Sequence, residues 1–329
     1  MGPAGVLPFV LGGATGAGKT AVALELAARL DAEIICADAR QVYRGLDVAT
    51  GKPSAAERAS VPHHAFDLLD PREAASAGWY ARAVEPLRSD IAARGRVPLF
   101  VGGTGLYLRA AHCGLAAVPD IPGAVRERVR RRLAEEGAPA LHAELTALDP
   151  PLAARLAPAD GQRIARGLEV VLATGRPLSA WHADDSGDPP RWFWVVLGRA
   201  RAEAVASLTA RARAFFDAGL VDEVRGLVGA GVPADAPGFD ALGYCEAHDV
   251  LRGRLEREDA IALLARHTVQ YAKRQATWWR GEARRVEVVF REVGPHESPG
   301  QVAREVAGLY ARAAAGRRPE ALGADRVSR

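Results

Sequence analysis

Eight residues near the start of the chain have the types and the spacing that hold a phosphate group. Gly13-Ala14-Thr15-Gly16-Ala17-Gly18-Lys19-Thr20 match the pattern G-x-x-x-x-G-K-T. Glycines let the backbone wrap inward, so that successive N–H groups and the start of a following helix point at one anion. Lys19 would reach the outer phosphate, and the Thr20 hydroxyl would reach a Mg²⁺ ion. The stretch therefore predicts a phosphorylated ligand, with Mg²⁺ as cofactor.

Two further polar side chains follow apolar runs. Asp38 comes directly after Ile34-Ile35-Cys36-Ala37, and Thr104 follows Val97 to Val101 and a pair of glycines. Because the carboxyl ends of parallel strands face the ligand, we expect both side chains beside the phosphate loop. The carboxylate would suit a general base. Two alternatives stay open at this point. The role of Asp38 could be limited to stabilising a turn, and the glycines before Thr104 could be there only to form a tight turn.

The elements that must position these residues alternate between strands and helices. An apolar run from Val6 to Leu11 precedes the loop, and Val22, Leu26 and Leu30 follow it at helical spacing. Apolar runs at 192–197 and 286–290 predict later strands. The fold class is therefore α/β, a P-loop NTPase-like parallel sheet flanked by helices.

A helical insertion interrupts this pattern. We assign residues 1–118 and 191–315 to the core, 119–190 to the insertion, and 316–329 to a disordered tail. A strongly basic helix opens the insertion. A later helix, beginning at Gln162, has the predicted apolar stripe Ile164, Leu168, Val171 and Leu172. Its Gln-Arg cluster at 162–166 could equally be a solvated polar face.

Composition excludes several classes of protein. No apolar run approaches the ~20 residues of a membrane helix, and the first residues do not have the pattern of a signal peptide. Three widely spaced cysteines fit a reduced cytoplasm and no zinc site. The adjacent His63 and His64 diverge in direction, which favours a structural role over a metal site. A net charge of only +3 does not by itself indicate a nucleic-acid partner.

The distribution of charge is more informative near the carboxyl terminus. Residues 266–285 contain six Lys or Arg side chains and the single acid Glu282, with Trp278 and Trp279 between them. A basic helix with aromatic side chains suits a nucleic-acid backbone. The alternative is a partly buried helix with a solvated basic edge.

Taken together, the motifs resemble one family, the tRNA dimethylallyltransferases, also called tRNA isopentenyltransferases. The resemblance runs in order over roughly residues 6 to 290. Its motifs are Gly13 to Thr20, Asp38 to Tyr43, Thr50 to Pro53, Pro62 to His64, Gly102 to Tyr107, Gln162 to Val170, Gly243 to Glu246 and Tyr271 to Trp278. The ordered set carries the resemblance, whereas a phosphate loop alone would not.

The resemblance implies a prenyl transfer. The family moves a dimethylallyl group from dimethylallyl diphosphate to N6 of adenine 37, in the anticodon stem-loop of tRNA, and releases diphosphate. Asp38 would then be the catalytic base and Thr104 would orient the reacting groups. The loop would hold the diphosphate, with Arg211 adding a cation. The resemblance further implies Mg²⁺ on Thr20, a cytoplasmic monomer and no membrane.

The same resemblance implies which residues bind tRNA. They are Asp38, Ala39, Arg40, Gln41, Thr104, Arg126, Gln162, Arg163, Ile164, Ala165, Arg166, Lys273 and Arg274. The phosphate loop departs from the family pattern, which usually has Pro and Ala-Ser where this chain has Ala14 and Gly16-Ala17. Three further positions depart from it: Ala39 stands where Ser is usual, Cys245 where Lys or Arg is usual, and Gly167 where Ala is usual. Cys245 could weaken a phosphate contact, and Gly167 should loosen its helix by up to ~1 kcal/mol.

Three other functions fit parts of the same pattern. A P-loop kinase of a small metabolite would bind ATP in the loop and use Asp38 as base, but it needs no long basic carboxyl-terminal surface. An enzyme that prenylates free adenine nucleotides would share the amino-terminal motifs and not those at 162–166 and 271–278. A non-catalytic RNA-binding or nucleotide-sensing module would bind tRNA without turnover.

Overall fold

A parallel sheet of six strands forms the framework of the chain. The computed structural model describes residues 6–184 and 190–317. In those ranges the strands are β1 (Phe9–Gly13), β2 (Ala32–Cys36), β3 (His63–His64), β4 (Val97–Gly102), β5 (Phe193–Gly198) and β6 (Val288–Glu292). Their order is β3-β2-β4-β1-β5-β6, and every neighbouring pair is parallel. The predicted α/β sheet is thus confirmed, with β1 and its phosphate loop at the centre.

Helices connect the strands and form a second unit. Those of the first unit are α1 (Lys19–Leu30), α2 (Ala55–Ser60), α3 (Ala77–Ala93), α4 (Gly105–Cys113), α10 (Arg201–Asp217), α11 (Leu220–Gly229), α12 (Tyr244–Leu251), α13 (Arg257–Glu282) and α14 (Pro299–Ala314). Those of the second are α5 (Gly123–Glu136), α6 (Ala138–Leu148), α7 (Pro150–Ala153), α8 (Gly161–Thr174) and α9 (Leu178–Asp184).

Strands β1, β2, β4 and β5 are buried along almost their whole length, because helices cover both faces of the sheet. Successive side chains of a strand point to opposite faces. Phe9 and Leu11 of β1 accordingly pack in one buried cluster with residues of α1 and α14. Val10 packs in the other, with Phe100 of β4 and Trp194 of β5. The sheet is therefore the middle layer of three.

The long helix α13 packs directly on the ends of two strands. A Cβ atom at Gly12 of β1 would overlap the ring of Trp279, and one at Gly105, the first residue of α4, would overlap the ring of Trp278. Both indoles thus use space that only glycine leaves free. This close approach brings the carboxyl-terminal half of α13 against the phosphate loop.

The two compact units are Met1–Cys113 with Pro190–Arg329, and Gly114–Pro189. The second unit begins at Gly114, where the sequence interpretation placed its start at 119. It has its own buried cluster, which includes Ile164 and Leu168 of α8.

The apolar stripe of α8 differs from the prediction. Leu172, predicted in this stripe, is 37% exposed, whereas Val170 is buried. The buried residues of the helix are Ile164, Gly167, Leu168 and Val170.

Of the predicted tail, residues 318–329 lie outside the described residues.

Within the described ranges, every helix is too short or too polar to cross a lipid bilayer.

Replacing Gly12 should destabilise the protein through the contact with Trp279. We expect Gly12→Ala to lower the free energy of unfolding by about 1–3 kcal/mol, because the added methyl group overpacks the site. Denaturant unfolding measures this change. Gly198→Ala is the matched control, since a Cβ there meets no described atom within 4 Å. Equal stability of the two variants would contradict the packing described here.

Candidate active site

A cleft opens at the carboxyl ends of the central strands. Its volume is about 330 Å³, within the size range of small-ligand pockets. Thr15 of the loop after β1, Asp38 after β2 and Thr104 after β4 all line it. The structure thus brings together three side chains that the sequence placed on separate strand ends. The remaining lining residues are Ala39, Arg40, Ala49, Thr50, Leu208, Arg211, Ala212, Phe215, Asp240, Ala241, Leu242, Leu264, Thr268, Tyr271 and Arg274.

Asp38 has one carboxylate oxygen in use. Its Oδ1 atom accepts a hydrogen bond of 2.9 Å from the backbone N–H of Arg40, which stabilises the turn after β2. Oδ2 accepts no hydrogen bond from any described residue. The two interpretations of Asp38 are therefore compatible: one oxygen holds the turn, and the other remains available to a ligand in the cleft.

The Thr104 hydroxyl is fixed beside the turn that carries Asp38. Its oxygen accepts a hydrogen bond of 2.9 Å from the backbone N–H of Ala39, next to Asp38. Tyr271, on α13, lines the same cleft. Burial raises the pKa of its phenol to about 12, and the charge of Asp38 adds to the increase. The phenol of Tyr271 therefore stays protonated near neutral pH.

The phosphate loop has the form that its sequence predicts. Gly18 caps α1 with a φ of 84°, in the left-handed region that favours glycine. The Nζ atom of Lys19 donates to the carbonyls of Gly13 at 3.0 Å and Ala14 at 2.9 Å. Burial lowers the pKa of Lys19 from 10.5 to about 8; Asp38 opposes this shift and Arg211 contributes to it. The amine thus lies in a strongly desolvated, positively charged setting.

Arg211 enters the cleft from α10. Its guanidinium lies against Gly51, in space that a side chain at that position would fill, and 5.0 Å from the ring centroid of Phe215. Burial lowers the pKa of Arg211 from its ordinary value, and the charge of Asp38 opposes that change. A buried guanidinium facing both Lys19 and Asp38 is suited to bind an anion in the cleft.

Gln275 of α13 was not assigned a role from the sequence. Its side chain is 6% exposed. Oε1 accepts a hydrogen bond of 2.8 Å from the N–H of Thr15, and Nε2 donates one of 3.0 Å to the carbonyl of Gly103. One amide therefore joins the phosphate loop to the glycine turn that carries Thr104. A signal existed, because Gln275 continues the helical stripe that begins at Leu264, where a polar side chain is unexpected.

Two predicted tRNA ligands in this region bond within the protein. Arg40 donates to the carbonyl of Pro237 and to the carboxylate of Asp240, both at 3.0 Å. The Nε2 atom of Gln41 donates to the carbonyls of Thr50 at 2.9 Å and Gly51 at 3.2 Å. Gln41 thus supports the turn against which Arg211 packs. Their contacts with tRNA stay predictions.

The other predicted tRNA ligands are mostly exposed. Lys273 and Arg274 are exposed on α13, as are Arg126, Gln162, Arg163 and Arg166 in the second unit. The Nε atom of Arg163 lies 3.5 Å from Oδ2 of Asp160, and the Nη1 atom of Arg166 lies 3.6 Å from Oε2 of Glu169. Ile164 needs correction: its side chain is fully buried in the core of the second unit, so it cannot contact tRNA. Its role there is to fix the direction of its polar neighbours.

The residues present fit a Mg²⁺ ion that is bound partly by phosphate. Thr20 is exposed in the first turn of α1, where no acidic residue competes with a ligand. Among the described residues, no group of three or more His, Cys, Asp or Glu side chains could hold a metal ion. That pattern suits Mg²⁺, which proteins usually bind through few side chains together with substrate phosphates.

Comparison with known proteins identifies the family. The family model described as IPP transferase matches residues 41–282, and the model described as isopentenyl transferase matches residues 8–63. A tRNA dimethylallyltransferase of Oleidesulfovibrio alaskensis is 44% identical over 271 residues, which cover 82% of this chain and 89% of the relative. The tRNA dimethylallyltransferase of Anaeromyxobacter dehalogenans is 42% identical over 304 residues, covering 90% and 98%.

Solved structures agree with this result. The full-length tRNA isopentenylpyrophosphate transferase of Bacillus halodurans has a TM-score of 0.65 and 33% identity, covering 92% of this chain and 96% of its own. A eukaryotic dimethylallyltransferase acting on tRNA shares the fold with a TM-score of 0.78 at 21% identity, covering 95% of this chain and 80% of its own.

The chain belongs to the IPP transferase family. It is therefore an enzyme of the prenyltransferase class, as the sequence motifs predicted, and the alternative of a small-metabolite kinase is not supported.

Removing the amide of Gln275 should loosen the phosphate loop. We expect Gln275→Leu to cost about 1–3 kcal/mol of unfolding free energy, because it leaves the buried Thr15 N–H and Gly103 carbonyl unpaired. Hydrogen exchange of the Thr15 amide should accelerate at the same time. Gln270→Leu, at an exposed position of the same helix, is the control. Unchanged Thr15 exchange in Gln275→Leu would show that the amide does not brace the loop.

Proposed function

We propose that the protein transfers a dimethylallyl group from dimethylallyl diphosphate to N6 of adenine 37 in the tRNA anticodon loop and releases diphosphate. The observation that carries this proposal is the meeting of the phosphate loop, Asp38 and Thr104 in one cleft. All these groups lie in the first unit of a single chain, so the proposed chemistry requires only a monomer.

The loop supplies stabilisation for the leaving group. As the bond between C1 of the dimethylallyl group and the diphosphate oxygen breaks, negative charge grows on the diphosphate. The backbone N–H groups at the start of α1, the Lys19 ammonium and the Arg211 guanidinium would stabilise that charge. Fixed donors in a desolvated site are effective because they need little reorganisation during the reaction.

Asp38 is assigned the role of general base. The exocyclic amine of adenine is a weak nucleophile, since its lone pair is delocalised into the ring. As N6 bonds to C1, the amine loses a proton, and the free Oδ2 atom of Asp38 accepts it. Such assistance typically contributes about 10²–10⁴-fold to the rate. Thr104, held by the backbone N–H of Ala39, would orient the amine against the carboxylate.

The apolar wall of the cleft suits the prenyl group. Leu208, Phe215 and Leu264 line the same cavity as the polar residues. A branched five-carbon chain gains free energy by leaving water for such a surface. The wall would also keep water from competing with adenine for the reactive carbon. A kinase acting on a hydrophilic metabolite would gain nothing from these side chains.

Mg²⁺ is proposed as the cofactor. The Thr20 hydroxyl and the diphosphate oxygens would hold it at the start of α1. When bound, the ion would neutralise charge on the diphosphate. Lys19, Arg211 and the loop amides would bind the remaining oxygens.

Binding of tRNA is proposed for both units. Adenine must leave the anticodon-loop stack to enter an enclosed cleft, at a cost of roughly a few kcal/mol. Exposed cations offset that cost by binding phosphates, and their contribution should weaken as salt increases. Lys273 and Arg274 would serve in the first unit, and Arg126, Arg163 and Arg166 in the second. The neutral amide of Gln162 would add a hydrogen bond to tRNA.

One incubation tests the proposed function. Unmodified tRNA, Mg²⁺ and labelled dimethylallyl diphosphate should give label on adenine 37 and free diphosphate. A tRNA with another base at position 37 is the matched control and should stay unlabelled. Transfer to free adenine nucleotides instead of tRNA, or phosphoryl transfer from ATP, would refute the proposal.

Asp38→Ala should abolish turnover and leave tRNA binding largely intact, because the variant loses the proton acceptor and keeps the exposed cations. We expect the single-turnover rate to fall by about 10²–10⁴-fold. Asp235→Ala, an exposed carboxylate outside the cleft lining, is the control. Activity of Asp38→Ala within about tenfold of the wild type would show that another group accepts the proton.

Diphosphate affinity should depend on the protonation of Lys19. The free enzyme loses this proton near pH 8, whereas bound diphosphate favours the charged amine and raises its pKa. Above pH 8 binding must therefore take up a proton, and affinity should fall by up to about tenfold per pH unit. Calorimetry with inorganic diphosphate from pH 7 to pH 10 measures this dependence.

Lys19→Arg is the matched variant for the pH experiment, because its side chain keeps its charge over the whole range. Any pH dependence of the affinity that remains in this variant arises from titration of diphosphate itself. Identical pH profiles for the two proteins would exclude Lys19 as the titrating group.

A further inference from the structure

A guanidinium without a partner lies beside the phosphate loop. Arg199 directly follows β5, whose residue Leu197 pairs with Gly13 of β1. The Nη2 atom of Arg199 lies 3.4 Å from the position that a Cβ atom would occupy on Gly18. The sequence interpretation gave this arginine no role. Its place beside the cap of α1 follows from the pairing of β5 with β1.

The hydrogen-bonding capacity of Arg199 is unused. Its Nε atom is buried and has no hydrogen-bond partner among residues 6–184 and 190–317. No carboxylate in those ranges forms an ion pair with this arginine. Buried polar groups in folded proteins are nearly always paired, and leaving a charged donor unpaired is costly. A ligand that supplies an acceptor would remove this cost.

The charges around the loop indicate the chemistry of that ligand. Three cations, Lys19, Arg199 and Arg211, surround the loop. The negative charge that acts on the pKa of Lys19 and of Arg211 is that of Asp38. α1 adds its positive end and has no acidic residue in its first turn. The local excess of positive charge matches a ligand with several negative charges, such as a diphosphate.

We propose that Arg199 is a further diphosphate-binding residue, which contacts the leaving group from the β5 side of the loop. This inference rests on the proposed function. Arg211 approaches from α10, against Gly51, whereas Arg199 approaches against Gly18. The two guanidiniums would therefore bind different oxygens. As the bond from carbon to the diphosphate oxygen breaks, Arg199 donates hydrogen bonds to the oxygens that gain charge.

The test compares Arg199→Gln and Arg199→Lys with the wild type, using inorganic diphosphate with Mg²⁺ in calorimetry. We expect Arg199→Gln to bind diphosphate about 10- to 100-fold more weakly, the range for losing a charge-assisted hydrogen bond. Arg199→Lys should recover only part of the affinity, because an ammonium lacks the planar array of donors. The KM for dimethylallyl diphosphate should rise, while the Kd for tRNA stays unchanged.

A second measurement separates binding from a structural role. Diphosphate should raise the Tm of the wild type, and this increase should be much smaller in Arg199→Gln. A lower Tm with an undiminished increase on adding diphosphate would mean that Arg199 only supports the fold, and would overturn the proposal. Arg225→Gln, an exposed arginine paired with Asp222 on α11, is the control.

The outcome also distinguishes this inference from the proposed function. If the wild type transfers the prenyl group to tRNA and Arg199→Gln binds diphosphate as tightly as the wild type, the role of Arg199 is wrong and the function stands. If the wild type neither binds diphosphate nor transfers the group, the proposed function fails, and the proposal for Arg199 fails with it.

Discussion

The site depends on one buried amide. Gln275 accepts a hydrogen bond from the phosphate loop and donates one to the glycine turn before Thr104, and the two loops end different strands of the sheet. Without it, each loop would keep its local shape but lose its fixed distance from the other. The proposed transfer moves a prenyl group from a diphosphate in the loop to an adenine amine beside Thr104. It needs that distance, because misplacement by about 1 Å is costly to a reaction between two bound groups. The tryptophans that follow Gln275 seat the same helix against Gly12 and Gly105, so packing and hydrogen bonding fix one arrangement.

The electrostatics of the loop favour an anion. Lys19 has a pKa near 8 because burial disfavours its charge, and Arg211 is shifted in the same direction. Folding therefore places cations where they repel one another and are poorly hydrated. This arrangement reduces the stability of the free protein, and a bound diphosphate would restore it. Stability given up at a binding site in this way is common where a ligand must be held tightly during the reaction and released afterwards.

Local pattern was sufficient for the strand, loop and helix around residues 13–20, since spacing and glycine content determine that motif. The rule that parallel strands face the ligand with their carboxyl ends also placed Asp38 and Thr104 near the loop. Contacts between residues far apart in the sequence could not be predicted from local pattern. The helical stripe of α13 indicates that Gln275 is buried, but Gln275 lies 260 positions after Thr15, and no local pattern identifies Thr15 as its partner. Helical periodicity correctly placed Ile164 on the apolar side of α8, whereas the family resemblance grouped it with the polar residues of 162–166 as a tRNA ligand.

The position of α13 in the chain has a consequence for biosynthesis. The phosphate loop is synthesised before its brace, because Gln275 follows the whole second unit and strand β5 in the chain. Contacts of such long sequence separation form late, because a long loop of chain must close first. A nascent chain that stops before Gln275 carries every residue of the loop and lacks the element that fixes it. Truncated products of translation should therefore be unable to hold the prenyl donor in a fixed site, because the cleft is completed only once α13 has been made.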